Sequence, residues 1–261
     1  EYGGRFCGEG DESDKNRYQE LPISYFADRT RAYLKIQDGC NHACTYCKVV
    51  QVRGPAASRS LDEIVREGRR IAERGYEEVI LTGVQLGAYG DEWKGNPGLV
   101  DVLEALAEIS GIARIRLSSI DPSDVTERLV HLMEKEPKLC PHLHLPLQSG
   151  DDEILKRMKR AYRARPYARL VEELRARVTD FCLTTDVMVG FPGEEEGHFQ
   201  RTLEVLRETV PLKIHIFPFS PREGTPAAQF KDTVKSTVQR ERVKRLEQCA
   251  AVLARRYQEQ F

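Results

Sequence analysis

The sequence has no apolar run approaching the ~20 residues needed to cross a bilayer, and no apolar stretch near its start of the kind that marks a secretory signal. A membrane helix and a signal peptide are therefore excluded from these residues, and the expected compartment is the cytoplasm. An excess of one charge is missing as well. Forty Lys and Arg against 41 Asp and Glu give a formal net charge of −1, so composition alone does not argue for a polyanionic partner. The cysteines cannot all pair: seven in a chain of 261 residues, 40% of them hydrophobic, fit a reducing compartment and a protein with its own core better than a disulfide scaffold. The chain opens on Glu1 and ends on Phe261 directly after a helical pattern, so a piece of a longer protein is expected.

Three of those cysteines, Cys40, Cys44 and Cys47, sit in one short loop, Asp38-Gly-Cys-Asn-His-Ala-Cys-Thr-Tyr-Cys47. A C-x3-C-x2-C loop offers three thiolates to an iron-sulfur cluster and leaves one iron with a coordination site for another molecule, which suggests an enzyme. The competing reading is structural zinc, and from a different functional class a zinc-stabilised RNA-binding module. Structural zinc takes four ligands, often from two C-x2-C knuckles, and no second knuckle follows here. Cys7, Cys140, Cys182 and Cys249 are scattered singly and read as small hydrophobes.

From Ala32 onward short apolar runs alternate with helical patterns, the signature of βα units and a parallel sheet. Six strands are expected, over 32–37, 78–82, 113–117, 142–147, 183–189 and 213–219. Helices are expected over 61–74, where Ser60 and Glu63 form a capping box and Gly75 follows, along Leu99 to Ile109, after the acidic turn Glu194 to Glu196, and along Val243 to Tyr257. Six units fall short of eight, so the fold class is α/β, an open partial (βα)6 barrel similar to part of a TIM barrel. In such folds chemistry gathers at the carboxyl ends of the strands, where the cysteine loop lies.

Two further patterns stand out. Lys156, Arg157, Lys159, Arg160, Arg163, Arg165 and Arg169 follow one another without an acidic residue, a density that suits either phosphates or a solvated helix face. His142 and His144 flank Leu143 within a strand and share one face, which reads as a hydrogen-bonded core or pocket wall rather than as metal ligation.

Across roughly Tyr33 to Ala228 these residues resemble the radical S-adenosylmethionine (SAM) enzymes, and within them the methylthiotransferases. The resemblance rests on the cysteine loop with Tyr46 before its third cysteine, on Arg53-Gly54 with Ser58-Arg59, on Leu81-Thr-Gly-Val-Gln-Leu-Gly-Ala-Tyr-Gly90, on Arg116-Leu-Ser-Ser-Ile-Asp-Pro122 and on His144-Leu-Pro-Leu-Gln-Ser-Gly150. It extends to Met158-Lys-Arg160, Asp186-Val-Met-Val-Gly-Phe-Pro-Gly193 and Phe217-Pro-Phe-Ser-Pro-Arg-Glu-Gly-Thr-Pro226. Leu81-Thr-Gly and Leu117-Ser-Ser-Ile-Asp-Pro are most similar to the branch that modifies N6-threonylcarbamoyladenosine in tRNA, with isopentenyladenosine-modifying and ribosomal-protein-modifying relatives as alternatives. Lys48-Val-Val-Gln-Val52 lacks the proline that relatives carry there, so a different path is expected beyond the cysteines.

The resemblance implies that Cys40, Cys44 and Cys47 ligate a [4Fe-4S] cluster, with SAM chelated at the fourth iron and cleaved to a 5′-deoxyadenosyl radical. No other catalytic residue is implied. It assigns Tyr46 to the adenine, Gly83, Val84 and Gln85 to the methionine amino group and Arg160 to its carboxylate. Ser118, Gln148, Ser149 and Asp186 are assigned to ribose and methionine. Arg53, Arg59, Arg163 and Arg222 become candidate RNA contacts. It also implies an external electron donor and a tRNA substrate. Residues 1–31 would be a linker from an upstream domain that carries a second [4Fe-4S] cluster, and residues 32–261 the radical SAM domain, with a downstream RNA-binding barrel absent. On that reading the piece cleaves SAM but does not complete methylthiolation alone.

Overall fold

Strand β1 (Arg31–Lys35) is followed in order by β2 (Gln37–Asp38), α1 (Val49–Arg53), β3 (Ala57–Ser58), α2 (Leu61–Glu73), β4 (Glu78–Thr82), α3 (Leu99–Ala107) and β5 (Arg114–Leu117). The second half runs α4 (Glu127–Lys135), β6 (His142–His144), α5 (Asp152–Arg157), α6 (Ala164–Arg177), β7 (Cys182–Val189), α7 (Glu196–Thr209), β8 (Lys213–Pro218) and α8 (Ser236–Gln258). The computed structural model describes residues 30–93, 95 and 97–260; the expected linker, up to residue 29, and Cys7 lie outside the described residues.

The six expected strands are β1, β4, β5, β6, β7 and β8, all parallel, in two three-stranded sheets of order β1-β4-β5 and β6-β7-β8. A parallel bridge between Ile115 and Leu139 joins them, and Cys140 N–H donates to the carbonyl of Ile115 at 2.9 Å. Among the described residues β1 and β8 pair on one side only, so the barrel is open. Register places Leu34 beside Leu81 and Leu81 beside Leu117, all buried in one core with Ile64, Leu103 and Leu106 from the covering helices. Burying each such side chain stabilises the fold by about 1.5–3 kcal/mol.

Alternation sorts the faces of β7. Leu183, Thr185, Val187 and Val189 are buried, whereas Cys182, Thr184, Asp186 and Met188 are only partly so, which leaves a polar inner face. Helix α2 starts as its sequence suggests: Ser60 Oγ accepts from Glu63 N–H, and Gly75 follows at φ +82°.

Two differences from expectation have physical causes. The fourth strand is short because Pro146 has no N–H to pair, and side chains take over: Leu147 N–H donates to Thr185 Oγ1, and the Tyr162 and Tyr167 hydroxyls donate to carbonyls of 145–147. Glu194 is not part of a helix's first turn, since α7 begins at Glu196. Its buried carboxylate accepts from Gly190 N–H and from Arg242 Nη1 at 2.7 Å, tying the turn after β7 to α8. Beyond the cysteines, 49–53 coil into α1, followed by the β2–β3 pairing that folds Ala57 and Ser58 back on Gln37 and Asp38.

Candidate active site

The cysteine loop crosses the carboxyl end of β1, held by backbone and small side chains. Gly39 sits at φ +68°, and a Cβ there would lie 1.9 Å from the Pro55 carbonyl, so only glycine lets the chain pass. Thr45 is buried and acts as a clamp: its N–H donates to Met158 O, its hydroxyl to Arg157 O, and its carbonyl accepts from Ala227 N–H. Tyr46 packs edge-on against Phe191 with ring centroids 6.3 Å apart, inside a small apolar cluster with Ile154 and Met158.

Each cysteine sulfur receives a donor. His42 N–H points to Cys40 Sγ at 3.3 Å, Val49 N–H to Cys47 Sγ at 3.4 Å and Arg160 Nη1 to Cys44 Sγ at 3.3 Å. None of the six described cysteines forms a disulfide. Burial pushes the Cys40 thiol up and the neighbouring Cys44 and Cys47 sulfurs add to this, while the His42 N–H and Arg160 oppose it, so a bound cation would favour the thiolate. Three sulfurs in one half-buried loop, each met by an N–H, form a donor set that fits an iron-sulfur cluster, whose ligand sulfurs are tuned by such bonds.

Around the loop runs a network of committed polar groups. Gln37, fully buried, accepts from the N–H groups of Val84 and Gln85 at 2.9 and 2.8 Å and donates to the carbonyls of Asp38 and Gly39. Gln85 Oε1 accepts from Asn41 N–H at 2.9 Å and lies 3.4 Å from Cys40 Sγ, while its Nε2 donates to His42 Nε2 at 2.9 Å. Arg160 leaves the basic segment and turns inward, pairing with Asp121, stacking over Tyr162 at 4.9 Å and reaching Cys44. The Arg160 and Asp121 side chains are 9% and 8% exposed, so this is no solvated face.

Ser118 and Gln148 lie half-buried at the same end, beyond β5 and β6. Gln148 adopts φ +59°, and its N–H and carbonyl bond to β7. Two expected residues are elsewhere. Ser149 is 1% exposed, and its hydroxyl accepts from Asp151 N–H within a turn against α7. Arg59 is buried in an ion pair with Glu67 rather than facing solvent. Asp186 faces His144 and His215 on the neighbouring strands. Arg53, Arg163 and Arg222 are exposed, the first two paired loosely with Asp38 at 3.2 Å and Asp152 at 3.7 Å. Sequence reasoning passed over Gln37 and Asp121; their signal was a polar residue at the end of an apolar strand run, indistinguishable there from a turn former.

A family model described as the radical SAM superfamily matches residues 34–206, from β1 into α7. The chain belongs to the radical SAM superfamily. Among curated relatives, this radical SAM chain is 39% identical over 94% of its length to threonylcarbamoyladenosine tRNA methylthiotransferase MtaB of Bacillus subtilis and 41% identical over 90% to that of Thermotoga maritima. In both cases it spans 54% of the relative. It is also 40% identical over 83% of its length to tRNA-2-methylthio-N(6)-dimethylallyladenosine synthase of Carboxydothermus hydrogenoformans, spanning 49% of that protein. The chain thus spans about half the length of the curated relatives it matches. Among solved structures, the radical SAM methyltransferase TsrM from Kitasatospora setae superposes with TM-score 0.62 at 16% identity, covering 75% of this chain and 38% of that one. Methylornithine synthase PylB superposes at 0.58 and 16% identity, covering 84% and 62%. At that identity the likeness concerns the fold, and it agrees with the open parallel barrel. No helix among the described residues is long and apolar enough to cross a membrane.

Proposed function

We propose that this chain is the catalytic core of a tRNA methylthiotransferase, acting on N6-threonylcarbamoyladenosine. The observation that carries the reading is the three-cysteine loop at the carboxyl end of a parallel barrel, with one N–H donor on every sulfur. Cys40, Cys44 and Cys47 would ligate a [4Fe-4S] cluster, which when bound with SAM supplies the electron for reductive carbon-sulfur cleavage. The residues of the chain prepare that site. Gln37 occupies the N–H groups of Val84 and Gln85, so an incoming ammonium would meet the carbonyl side of the Gly83-Val84-Gln85 turn. Gln85 positions Cys40 and Arg160 positions Cys44, and Tyr46, Ser118 and Gln148 are the side chains proposed to meet SAM. Arg53, Arg163 and Arg222 are proposed for RNA, and an external electron donor is proposed to reduce the cluster.

Relatives named for dimethylallyladenosine match at the same identity as those named for threonylcarbamoyladenosine, which keeps that base as a second reading. The first test is reconstitution with iron and sulfide under argon. On addition of reductant and SAM, the chain is expected to release 5′-deoxyadenosine, and stoichiometric zinc without iron uptake would refute the reading. The second offers anticodon stem-loops bearing either modified adenosine to the full-length protein; the expected methylthiolated product is that of threonylcarbamoyladenosine.

A further inference from the structure

On the inner face of the second sheet, three side chains from three adjacent strands converge. His144 of β6, Asp186 of β7 and His215 of β8 bring one ligand atom each to within 4.8 Å of the others. Asp186 Oδ1 lies 3.1 Å from His144 Nε2 and 3.3 Å from His215 Nδ1. Register imposes this arrangement, since Asp186 pairs directly with His215 and His144 with Thr184, one inner-face position before Asp186.

At those distances hydrogen bonds would be expected, yet Asp186 Oδ1 is buried with no hydrogen-bond partner. The ring N–H directions miss it. Nitrogen and oxygen that approach closely without bonding each other leave room for a third atom to bond them all. Around a divalent ion bound at about 2.0–2.2 Å, ligand atoms sit roughly 3–3.5 Å apart, and each imidazole lone pair points at the ion rather than at the neighbouring ligand. The two contacts fall in that interval.

The surroundings fit. His144 Nδ1 lies 2.9 Å from Thr184 Oγ1, the outer partner that fixes the orientation of a ligating imidazole. The His144 and Asp186 side chains are 12% and 22% exposed and His215 41%, which leaves an entry path from one side. The His144 and His215 rings are 5.4 Å apart between centroids and tilted by 30°.

We infer that His144, Asp186 and His215 form a binding site for a divalent transition-metal ion, distinct from the cysteine loop. Two imidazoles and one carboxylate suit zinc or ferrous iron, and three protein ligands leave a position for water or an oxygen of a bound molecule facing the barrel interior. The inference rests on this geometry and not on the proposed transferase activity: a chain that cleaves no SAM would still bind the ion.

Zinc is the probe. The chain, with its cysteine loop already loaded with iron and sulfide, is dialysed against Zn2+ and the bound zinc counted. One zinc per chain is expected in the parent protein, with affinity at least 100-fold lower in His215→Ala and Asp186→Asn, both checked for native circular dichroism. Cobalt supplies a measurement that needs no variant: the Co2+-loaded parent should show ligand-field bands without a thiolate-to-cobalt charge-transfer band. Zinc uptake no greater than in Asp186→Asn, no cobalt binding, or a thiolate band in the cobalt form would each overturn the assignment.

Discussion

Around the cysteine loop, Gln37 and Gln85 have their polar ends committed to backbone, to His42 or to sulfur, and the two terminal nitrogens of Arg160 to sulfur and a carboxylate with only its Nε unpartnered, whereas on β6, β7 and β8 His144, Asp186 and His215 come close without bonding one another. Both regions lie on one open barrel and both are partly buried. The difference is what their polar atoms are arranged to meet. A satisfied network fixes the position of what it surrounds, because breaking any bond strands a buried group. A set of ligand atoms that fail to satisfy each other is stable only if something else completes it. The first region reads as scaffolding for the three sulfurs, and the second as the ligand set itself.

The sharpest way to break this comparison is at Arg160. Replacing it by Gln leaves Asp121, 8% exposed, without its cation and removes the donor to Cys44 Sγ. Removing one partner of a buried pair costs about 3–5 kcal/mol. Urea unfolding of Arg160→Gln should show a loss in that range, with Arg160→Lys falling between it and the parent. A loss below about 1 kcal/mol would mean that the network is solvated and does not act as scaffolding.

How far these two regions were legible in the sequence follows from the same distinction. The cysteine spacing, the capping box at Ser60 and the alternation of apolar runs are local patterns, and the structure has the loop and six strands in those places, the fourth strand ending early at His144. Composition showed Arg160 only as one of seven basic residues, and the family resemblance alone singled it out, for the SAM carboxylate; its inward turn depends on Asp121, 39 positions away, and no periodicity encodes that. Ser149 and Arg59 have other partners for the converse reason. Their motifs are local, but partners on α2, Glu67, and on α7, Thr202, claim the side chains for packing. The triad on the second sheet was not legible: His142 and His144 could be placed on one face but were read as a pocket wall rather than as ligands, and the arrival of His215 needed the β7–β8 register.

A second, smaller effect sharpens the comparison within the second half of the barrel, where Asp151 is fully satisfied. Its Oδ1 accepts from the N–H groups of Glu153 and Ile154 at 2.9 and 3.1 Å and caps α5, and its other oxygen pairs with Arg201. Burial raises its pKa, but the Arg201 pair and the capping N–H groups outweigh burial and hold it below the ordinary 3.8. A carboxyl depressed on folding stabilises the protein above its unfolded pKa, and that contribution is lost as pH falls below 3.8 toward the folded value. Asp151→Ala should cost about 1–2 kcal/mol at neutral pH. It should also flatten the acid limb of stability against pH below 3.8, whereas an unchanged limb would place the acid sensitivity elsewhere.

The smallest expected effect on stability tests the rim that neither region uses. The Arg163 side chain is 68% exposed and lies 3.7 Å from a half-exposed Asp152, a pair worth at most about 0.5 kcal/mol, so Arg163→Ala should leave urea unfolding nearly unchanged. Its proposed role is a phosphate contact, and such a contact shows in salt dependence rather than in stability. The slope of the logarithm of tRNA affinity against the logarithm of salt should fall by about one in the variant, by a similar amount for different tRNAs, because a phosphate contact carries no sequence information. An unchanged slope with unchanged stability would assign Arg163 to the solvated surface and move the RNA path toward Arg53 and Arg222, on the side of the cysteine loop where α1 and the turn after β8 meet through Gln51 and Gly224.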